Sequence, residues 1–261
     1  MNDYVLGHSA RELERLRSQA RLIEPITRRF FEAAGIGAGM RVLDVGSGAG
    51  DVAFVAAELV GETGEVVGVD RSAAAVELAQ SRAGSNVSFL VGGPDAATGL
   101  FDAAVGRYVL QFQDDPAAML REIAALVRPG GLIVFHELDW DGVRSSPPIP
   151  TFDRCARLCR EAIGSAAETR MGGKLFATFV AAGLPAPSLR LEALAGVEEP
   201  LRMVADLAGS LAEKIEELGL ASAAELDPDA LFEQMLAEAR ETTSVAVGNF
   251  QFGAWAQSSR A

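Results

Sequence analysis

Ten consecutive residues carry the strongest structural signal in this chain: Val42-Leu43-Asp44-Val45-Gly46-Ser47-Gly48-Ala49-Gly50-Asp51. A short apolar run with one internal carboxylate ends in a glycine-rich turn, and the pattern after the turn is helical. Backbone without Cβ atoms lets a ligand lie against the chain, and the first turn of a helix offers unpaired amide groups. The stretch therefore predicts a buried strand, a ligand-binding turn and the start of a helix.

Strands and helices alternate along the rest of the chain. The predicted strands are residues 40–45, 65–69, 87–91, 101–108, 131–138, 189–194 and about 247–257. The predicted helices, which follow the first, second and fourth of these strands, are residues 51–60, 73–82 and 116–127. This alternation is typical of βαβ units with right-handed crossovers. We therefore predict an α/β fold with a doubly wound, Rossmann-like, seven-stranded and mostly parallel sheet.

Helical segments flank the predicted sheet. Residues 1–39 form a predicted lid of two helices, which Pro25 separates because it interrupts the helical pattern. Residues 40–140 form the predicted ligand-binding core. Residues 141–261 complete the sheet and add a helical cap in two insertions, about 151–170 and 198–246, after a rigid linker at 145–150. An apolar stripe from Leu201 to Leu218 predicts packing within this cap, with a homodimer contact as the alternative.

Composition excludes several classes of protein. The chain has 261 residues, 49% of them hydrophobic, and its 36 acidic and 23 basic side chains give a net charge of −13. Such a chain folds, and its negative charge disfavours nucleic acid as a partner. It has no apolar run of about 18 residues and no export signal, which predicts a soluble, cytoplasmic protein with no membrane partner. Cys155 and Cys159 are predicted to be reduced thiols, and no metal site is predicted.

An acidic residue at the end of the second predicted strand indicates what the turn binds. A carboxylate at the position of Asp70 can accept hydrogen bonds from both hydroxyls of an adenosine ribose. Dinucleotide folds use the spacing Gly-x-Gly-x-x-Gly beside a pyrophosphate. This chain has Gly46-x-Gly48-x-Gly50, with Asp51 in the place of the third glycine. Since a carboxylate repels a pyrophosphate but tolerates a cationic sulfonium, the spacing favours S-adenosylmethionine.

These features together resemble class I S-adenosylmethionine-dependent methyltransferases. The resemblance rests on residues 42–50, Asp70, Phe101-Asp102 before the fourth strand, and Arg128-Pro129-Gly130-Gly131 before the fifth. Residues 4–8 and 12–20 also resemble bacterial small-molecule methyltransferases of the ubiquinone/menaquinone type. In such enzymes the N-terminal helices close over the cofactor.

The resemblance implies a role for individual residues in holding the cofactor. Gly46 and Gly48 would lie along its methionine part, Ser47 would also bind the cofactor, and Asp70 would hold its ribose. Other residues are expected to contact the adenine (Arg71, Gly93 or Asp95), the methionine moiety (Arg107) or its carboxylate (Gln19 or Arg15). Asp44 would either contact the ligand or brace the glycine turn.

The chain has two histidines, and both are candidate catalytic residues. His136 ends the fifth predicted strand, at the rim of the expected site, and is either a general base or a hydrogen-bonded structural histidine. His8 would contact the substrate or simply precede the helix cap at Ser9. Glu137 is expected either to point at the same rim or to be solvated. Tyr108 would line the acceptor pocket or fill the core.

The predicted function is methyl transfer from S-adenosylmethionine to an oxygen, nitrogen or carbon atom of a small organic metabolite. A site that aligns acceptor, methyl group and sulfur can supply much of the rate without an acid or base. Two alternatives stay open: a non-catalytic protein that binds an adenosine ligand, and a nicotinamide-dependent oxidoreductase. Binding of NADH, or cofactor binding without a methylated product, would distinguish them.

Overall fold

A computed structural model of the chain describes the backbone of residues 10–258 and the side chains of residues 22–258. Within these residues the chain forms eight strands: β1 (Arg41–Val45), β2 (Glu65–Asp70), β3 (Val87–Val91), β4 (Phe101–Arg107), β5 (Val127–Asp139), β6 (Arg144–Ser146), β7 (Ser188–Gly196) and β8 (Val245–Gln257). The helices in the same range are α1 (Ala10–Ala34), α2 (Asp51–Val60), α3 (Ala73–Arg82), α4 (Pro116–Ala124), α5 (Pro150–Gly164), α6 (Met171–Ala181), α7 (Glu198–Ser210), α8 (Ala212–Glu217) and α9 (Pro228–Thr242).

The chain divides into two compact units, each assembled from three separate stretches. The sheet unit comprises Ile23–Glu137, Met171–Leu191 and Gln251–Ala261. The helical unit comprises Met1–Leu22, Leu138–Arg170 and Glu192–Phe250. The glycine-rich turn and the strands on either side of it belong to the sheet unit.

Parallel strands form the centre of the sheet unit, in the order β3-β2-β1-β4-β5. Alternate residues of a strand point to opposite faces, and each face is covered by its own apolar cluster. Leu43 and Val45 pack on one face with residues of α4 and α6. Val42 packs on the other face with residues of α2 and α3. This confirms the predicted doubly wound, mostly parallel α/β fold.

The predicted number of strands was wrong, because residues 145–150 were interpreted as a linker. The structure has an eighth strand, β6, which pairs antiparallel with the start of β8. The three-residue length of β6 and its Ser-Ser-Pro-Pro context hide it from any pattern of alternating apolar residues.

Strand β5 begins four residues earlier than predicted, at Val127. Its pairing with β4 is interrupted between Phe101 and Ala103, and Gly130 adopts a φ of +78° at this irregularity. The Pro129-Gly130 pair therefore bends the strand without ending it.

A single helix, α1, replaces the two predicted N-terminal helices. Pro25 lies inside it on an exposed face, where water can solvate the carbonyl group that the ring leaves unpaired. Ile23, Ile26 and Phe30 are buried on the opposite face of the helix. Because burial of this face stabilises the helical backbone on both sides of the proline, the helix continues.

The helical unit contains a helix boundary that the sequence did not predict. The stripe from Leu201 to Leu218 spans two helices, α7 and α8, which meet at Leu211. Leu201, Leu211 and Ile215 are fully buried, whereas Leu218 is 41% exposed. In the same unit, the Thr151 hydroxyl at the start of α5 donates to a carboxylate oxygen of Glu238 in α9 at 2.6 Å.

Among the described residues, no helix is long and apolar enough to cross a bilayer. Nor does this part of the chain bring together three or more side chains of the types that bind metal ions.

Replacing Pro25 by alanine tests the continuity of α1. We expect Pro25→Ala to raise the free energy of unfolding by about 1–2 kcal/mol, because alanine restores a helical hydrogen bond while a more flexible unfolded chain offsets part of the gain. Denaturant unfolding measures the change. Glu32→Ala, at an exposed position of the same helix, is the control and should shift stability by less than about 0.5 kcal/mol. A loss of stability in Pro25→Ala would contradict this account.

Candidate functional site

The turn after β1 contains three glycines in the left-handed region. Gly46, Gly48 and Gly50 have φ values of +69°, +51° and +91°. A Cβ on Gly46 would lie 2.7 Å from a methyl group of Val109, and a Cβ on Gly50 would lie 2.8 Å from the Phe89 ring. A Cβ on Gly48 would meet no atom within 4 Å. Packing therefore requires two of the glycines, and the third borders open space where a ligand can approach the backbone.

Strand β2 holds this turn in place from the neighbouring position in the sheet. The amides of Gly46 and Ser47 donate to the Val69 carbonyl at 2.9 and 3.0 Å. The Gly48 amide donates to Oδ2 of Asp70 at 2.8 Å, and the Ser72 amide donates to Oδ1 at 2.8 Å. Each carboxylate oxygen keeps a second lone pair for a ligand. The structure thus brings the Asp70 carboxylate to the Gly48 backbone, while the contacts of both residues with a cofactor remain predictions.

Asp44 is fully buried at the end of β1. Within the described part of the chain, neither of its carboxylate oxygens has a well-formed hydrogen bond, although the Ala53 amide faces the carboxyl. Burial raises the pKa of this carboxyl well above its ordinary value, Asp70 adds to the shift, and Arg107 and the Ala53 amide oppose it. A buried carboxyl with so little hydrogen bonding is costly, so Asp44 is suited to a ligand that brings donors or positive charge.

Unpartnered polar atoms of the sheet unit cluster at one edge of the sheet. Among its described residues, the buried side-chain atoms without a hydrogen-bond partner are Asp44 Oδ1 and Oδ2, Ser47 Oγ, Gln111 Oε1 and Glu137 Oε2. All of them lie at or just after the carboxyl ends of β1, β4 and β5, where open α/β sheets bind their ligands. All of them can accept hydrogen bonds. The edge is therefore suited to a ligand rich in donors.

His136 lies in a buried chain of polar side chains and not at an open rim. Its Nδ1 is 3.0 Å from the Thr27 hydroxyl, and its Nε2 is 2.8 Å from Oε1 of Gln251. The same Oε1 accepts from the Tyr108 hydroxyl at 2.6 Å, and Arg107 donates to the Thr27 hydroxyl at 3.2 Å. Because Gln251 Oε1 can only accept, this geometry assigns the proton of the neutral imidazole to Nε2.

The charge state of His136 follows from these surroundings. Burial and, secondarily, the charge of Arg107 lower the pKa of the imidazole, and the bond to Gln251 opposes them, with a resulting pKa of about 3. The ring is neutral at physiological pH, with both nitrogens in internal hydrogen bonds. The sequence left two roles open for His136, a general base and a hydrogen-bonded structural histidine. The structure shows a hydrogen-bonded histidine.

Tyr108 directly follows β4 in a conformation rare for a residue with a side chain. Its φ is +59°, and its amide donates to the His136 carbonyl at 2.9 Å. Burial raises the pKa of its hydroxyl, so the phenol is protonated. Backbone strain at such positions often accompanies function.

Two of the residues expected at the adenine, Gly93 and Asp95, lie in a short turn after β3, whereas the third, Arg71, directly follows β2. The Gly92 amide donates to the Asp70 carbonyl at 2.8 Å, which ties this turn to the end of β2. Asp95 is exposed, and its Oδ1 lies 2.9 Å from where a Cβ on Gly93 would be. Arg71 is also exposed. Their contacts with adenine remain predictions, and His8 and the side chains of Arg15 and Gln19 lie outside the described residues.

Sequence reasoning missed Thr27 and Gln251. Thr27 is fully buried inside α1, among Ile23, Ile26 and Phe30, and Gln251 is buried in β8. A polar residue on the apolar face of a predicted helix was the one local signal for Thr27. No local pattern pairs either residue with His136.

Comparison with known proteins gives the family. The family model described as "Methyltransferase domain" matches residues 36–166, half of the chain. An arsenite methyltransferase of Aquipseudomonas alcaligenes is 37% identical over 114 residues, which cover 38% of this chain and 33% of that protein. A demethylmenaquinone methyltransferase of Lactococcus lactis is 32% identical over 127 residues, covering 46% and 48%. The matches thus span a third to a half of these relatives.

Solved structures with low sequence identity share the fold. A putative methyltransferase from Bacillus halodurans aligns with a TM-score of 0.58 at 12% identity, covering 90% of this chain and 99% of that one. A phosphoethanolamine N-methyltransferase from Haemonchus contortus, in complex with S-adenosylhomocysteine, aligns with a TM-score of 0.55 at 17% identity, covering 91% and 53%. With the family model and the glycine turn, these findings show that the chain belongs to the methyltransferase-domain family and confirm its resemblance to class I S-adenosylmethionine-dependent methyltransferases.

Proposed function

We propose that this protein transfers a methyl group from S-adenosylmethionine to an oxygen, nitrogen or carbon atom of a small organic acceptor. One observation carries the proposal: buried acceptor atoms without partners lie at the carboxyl ends of β1, β4 and β5, the same end of the sheet as the turn in which Gly48 borders open space. S-adenosylmethionine offers an ammonium group, a sulfonium and two ribose hydroxyls. Each of these is a cation or a donor, so the residues present fit the cofactor.

A dinucleotide fits the same residues poorly. Asp51 and Asp70 are both close enough to Asp44 to raise the pKa of its carboxyl. A pyrophosphate placed at this turn would add negative charge to three carboxyl groups. This electrostatic cost favours the methyltransferase over the nicotinamide-dependent oxidoreductase.

Residues of this chain would divide the work of holding the cofactor. Gly48 provides open backbone for the methionine part, with Gly46 and Ser47 beside it, and Asp44 provides negative charge near the ammonium group. Asp70 accepts from the ribose hydroxyls with its remaining lone pairs. Arg107 faces the methionine carboxylate. Gly93, Asp95 and Arg71 border the adenine.

The chemistry requires alignment more than proton transfer. When bound, S-adenosylmethionine supplies an electrophilic methyl group on a positively charged sulfur. The protein excludes water and orients the acceptor, which can supply much of the rate. A general-base role for His136 stays a prediction, since the ring would have to break one of its two internal hydrogen bonds to reach an acceptor.

An organic acceptor suits this chain better than arsenic(III), which prefers thiolate ligands. The two cysteines of the chain are both fully buried in α5. Burial raises the pKa of the Cys155 thiol to about 11, so it stays protonated. The net charge of −13 also disfavours a nucleic-acid acceptor.

Calorimetry and a transfer assay test the function. We expect the purified protein to bind S-adenosylmethionine and S-adenosylhomocysteine with micromolar affinity, and to bind NADH at least 100-fold more weakly. Transfer of a labelled methyl group to a panel of phenols, quinols and amines then tests catalysis. Tight binding without any labelled product would favour the non-catalytic alternative, and preferential binding of NADH would overturn the proposal.

Substitution of Asp70 tests the ribose contact. Asp70→Asn puts a donor where two amides and the ribose need acceptors, so we expect S-adenosylhomocysteine affinity to fall at least tenfold. Asp114→Asn, which neutralises an exposed carboxylate in the same unit, should change affinity less than twofold. Equal effects of the two substitutions would show that only overall charge matters.

The depressed pKa of His136 predicts a pH dependence of stability. The unfolded chain takes up a proton as pH falls through about 6.5, while the folded ring stays neutral down to about 3. Stability is therefore lost as pH falls through this window, by up to about 1.4 kcal/mol per pH unit. Denaturant unfolding at pH 7.5, 6.0 and 5.0 should show this loss relative to His136→Gln, which cannot titrate.

The variant His136→Gln also tests whether His136 acts as a general base. A loss of turnover of tenfold or more in His136→Gln, with unchanged S-adenosylhomocysteine affinity, would support proton transfer by His136. Unaltered turnover would remove His136 from the mechanism.

A further inference from the structure

Glu137 binds the backbone of the turn that follows β4. Its side chain is fully buried at the end of the sheet unit's portion of β5. Oε1 accepts from the amides of Val109 and Leu110, each at 2.8 Å, and the Gln111 amide also faces the carboxyl. Three successive amides directed at one side chain hold residues 109–112, a short 3₁₀ turn, against the end of β5.

The same turn supports the glycine-rich turn after β1. The Val109 side chain lies directly against Gly46, because a Cβ there would be 2.7 Å from its nearer methyl group. Val109 is itself buried. A displacement of the Val109 backbone would therefore move the surface on which Gly46 packs. This gives a continuous path of contacts from Glu137 through Val109 to the backbone beside Gly48.

The environment of Glu137 is that of a supporting group. Oε2 is buried and has no hydrogen-bond partner within the described residues. Burial raises the pKa of the carboxyl to about 8, while the amides of Leu110, Val109 and Gln111 oppose the shift. The charge of Glu137 adds to the raised pKa of Tyr108, and no cation is among the groups that shift the pKa of Glu137. The structure thus places Glu137 in a buried turn and not at the solvated rim, the alternative that the sequence left open.

We propose that Glu137 is a positioning residue for the cofactor site: it holds the 109–112 turn in place, and the turn holds the glycine loop in its binding conformation before the cofactor arrives. The proposal rests on the proposed function for its ligand. Its structural part, the coupling between Glu137 and the two turns, can be measured in the free protein.

Amide hydrogen exchange on the cofactor-free protein tests the coupling. We expect Glu137→Leu, which removes both acceptor oxygens but keeps an apolar volume, to speed exchange of the Val109 and Leu110 amides at least tenfold. The Gly46 and Ser47 amides, which bond the Val69 carbonyl, should also exchange faster. Glu137→Gln keeps an acceptor oxygen and should stay within threefold of the wild type at all four amides.

A second variant separates the two halves of the path. Val109→Ala keeps the amides that Glu137 holds but removes the methyl groups that pack on Gly46. We expect it to speed exchange at Gly46 and Ser47 while leaving the amides of residues 109 and 110 unchanged. This variant also keeps the test decisive if Glu137→Leu fails to fold, which thermal unfolding would reveal.

Binding completes the test. We expect S-adenosylhomocysteine affinity to fall at least tenfold in Glu137→Leu and at least threefold in Val109→Ala, and to recover to within threefold of wild type in Glu137→Gln. Faster exchange with unchanged affinity would overturn the positioning role, and so would unchanged exchange at Gly46 and Ser47. If the wild-type protein bound no S-adenosylhomocysteine, the proposed function would fail, while the exchange data would still decide the coupling.

Discussion

Hydrogen bonds from the glycine turn to the end of β2 are the constraint on which the site depends. Three amides of the turn, those of Gly46, Ser47 and Gly48, donate to Val69 and Asp70. These bonds fix a backbone in which Gly48 alone borders open space. Since the turn is already held by its neighbours, little conformational entropy remains to be lost when a ligand binds.

Electrostatics explains why this site suits a cation. Asp44 is buried without a well-formed hydrogen bond, and its neighbours Asp70 and Asp51 add to the cost of its charge. Glu137 is likewise buried with one oxygen unpartnered. Unsatisfied buried groups lower the stability of a free protein, and enzymes retain them where a ligand satisfies them. A ligand that supplies donors or positive charge would recover this cost.

Sequence patterns predicted the helices and strands whose ends are fixed by residues close to them in the chain. Helix α3 begins where predicted because Ser72 caps it, accepting from the Ala75 amide. Strand β6 and the helix boundary at Leu211 were missed, because a three-residue strand and a change of direction inside an apolar stripe leave no periodic trace. The predicted break of the N-terminal helix at Pro25 was wrong, because the effect of a proline on a helix depends on whether it lies on the side that faces water.

The amino-acid sequence alone determined the glycine turn, Asp70 and the family, because a ligand-binding turn between a strand and a helix is built from neighbouring residues with special backbone requirements. Only the tertiary structure decided the surroundings of His136 and Glu137. Thr27 and Gln251 are 109 and 115 positions from His136, and Val109 is 28 positions from Glu137. Such contacts arise where separate strands end at one edge of a sheet. Because His136 is buried there, and not at the expected rim, its ring is neutral and both of its nitrogens form internal hydrogen bonds.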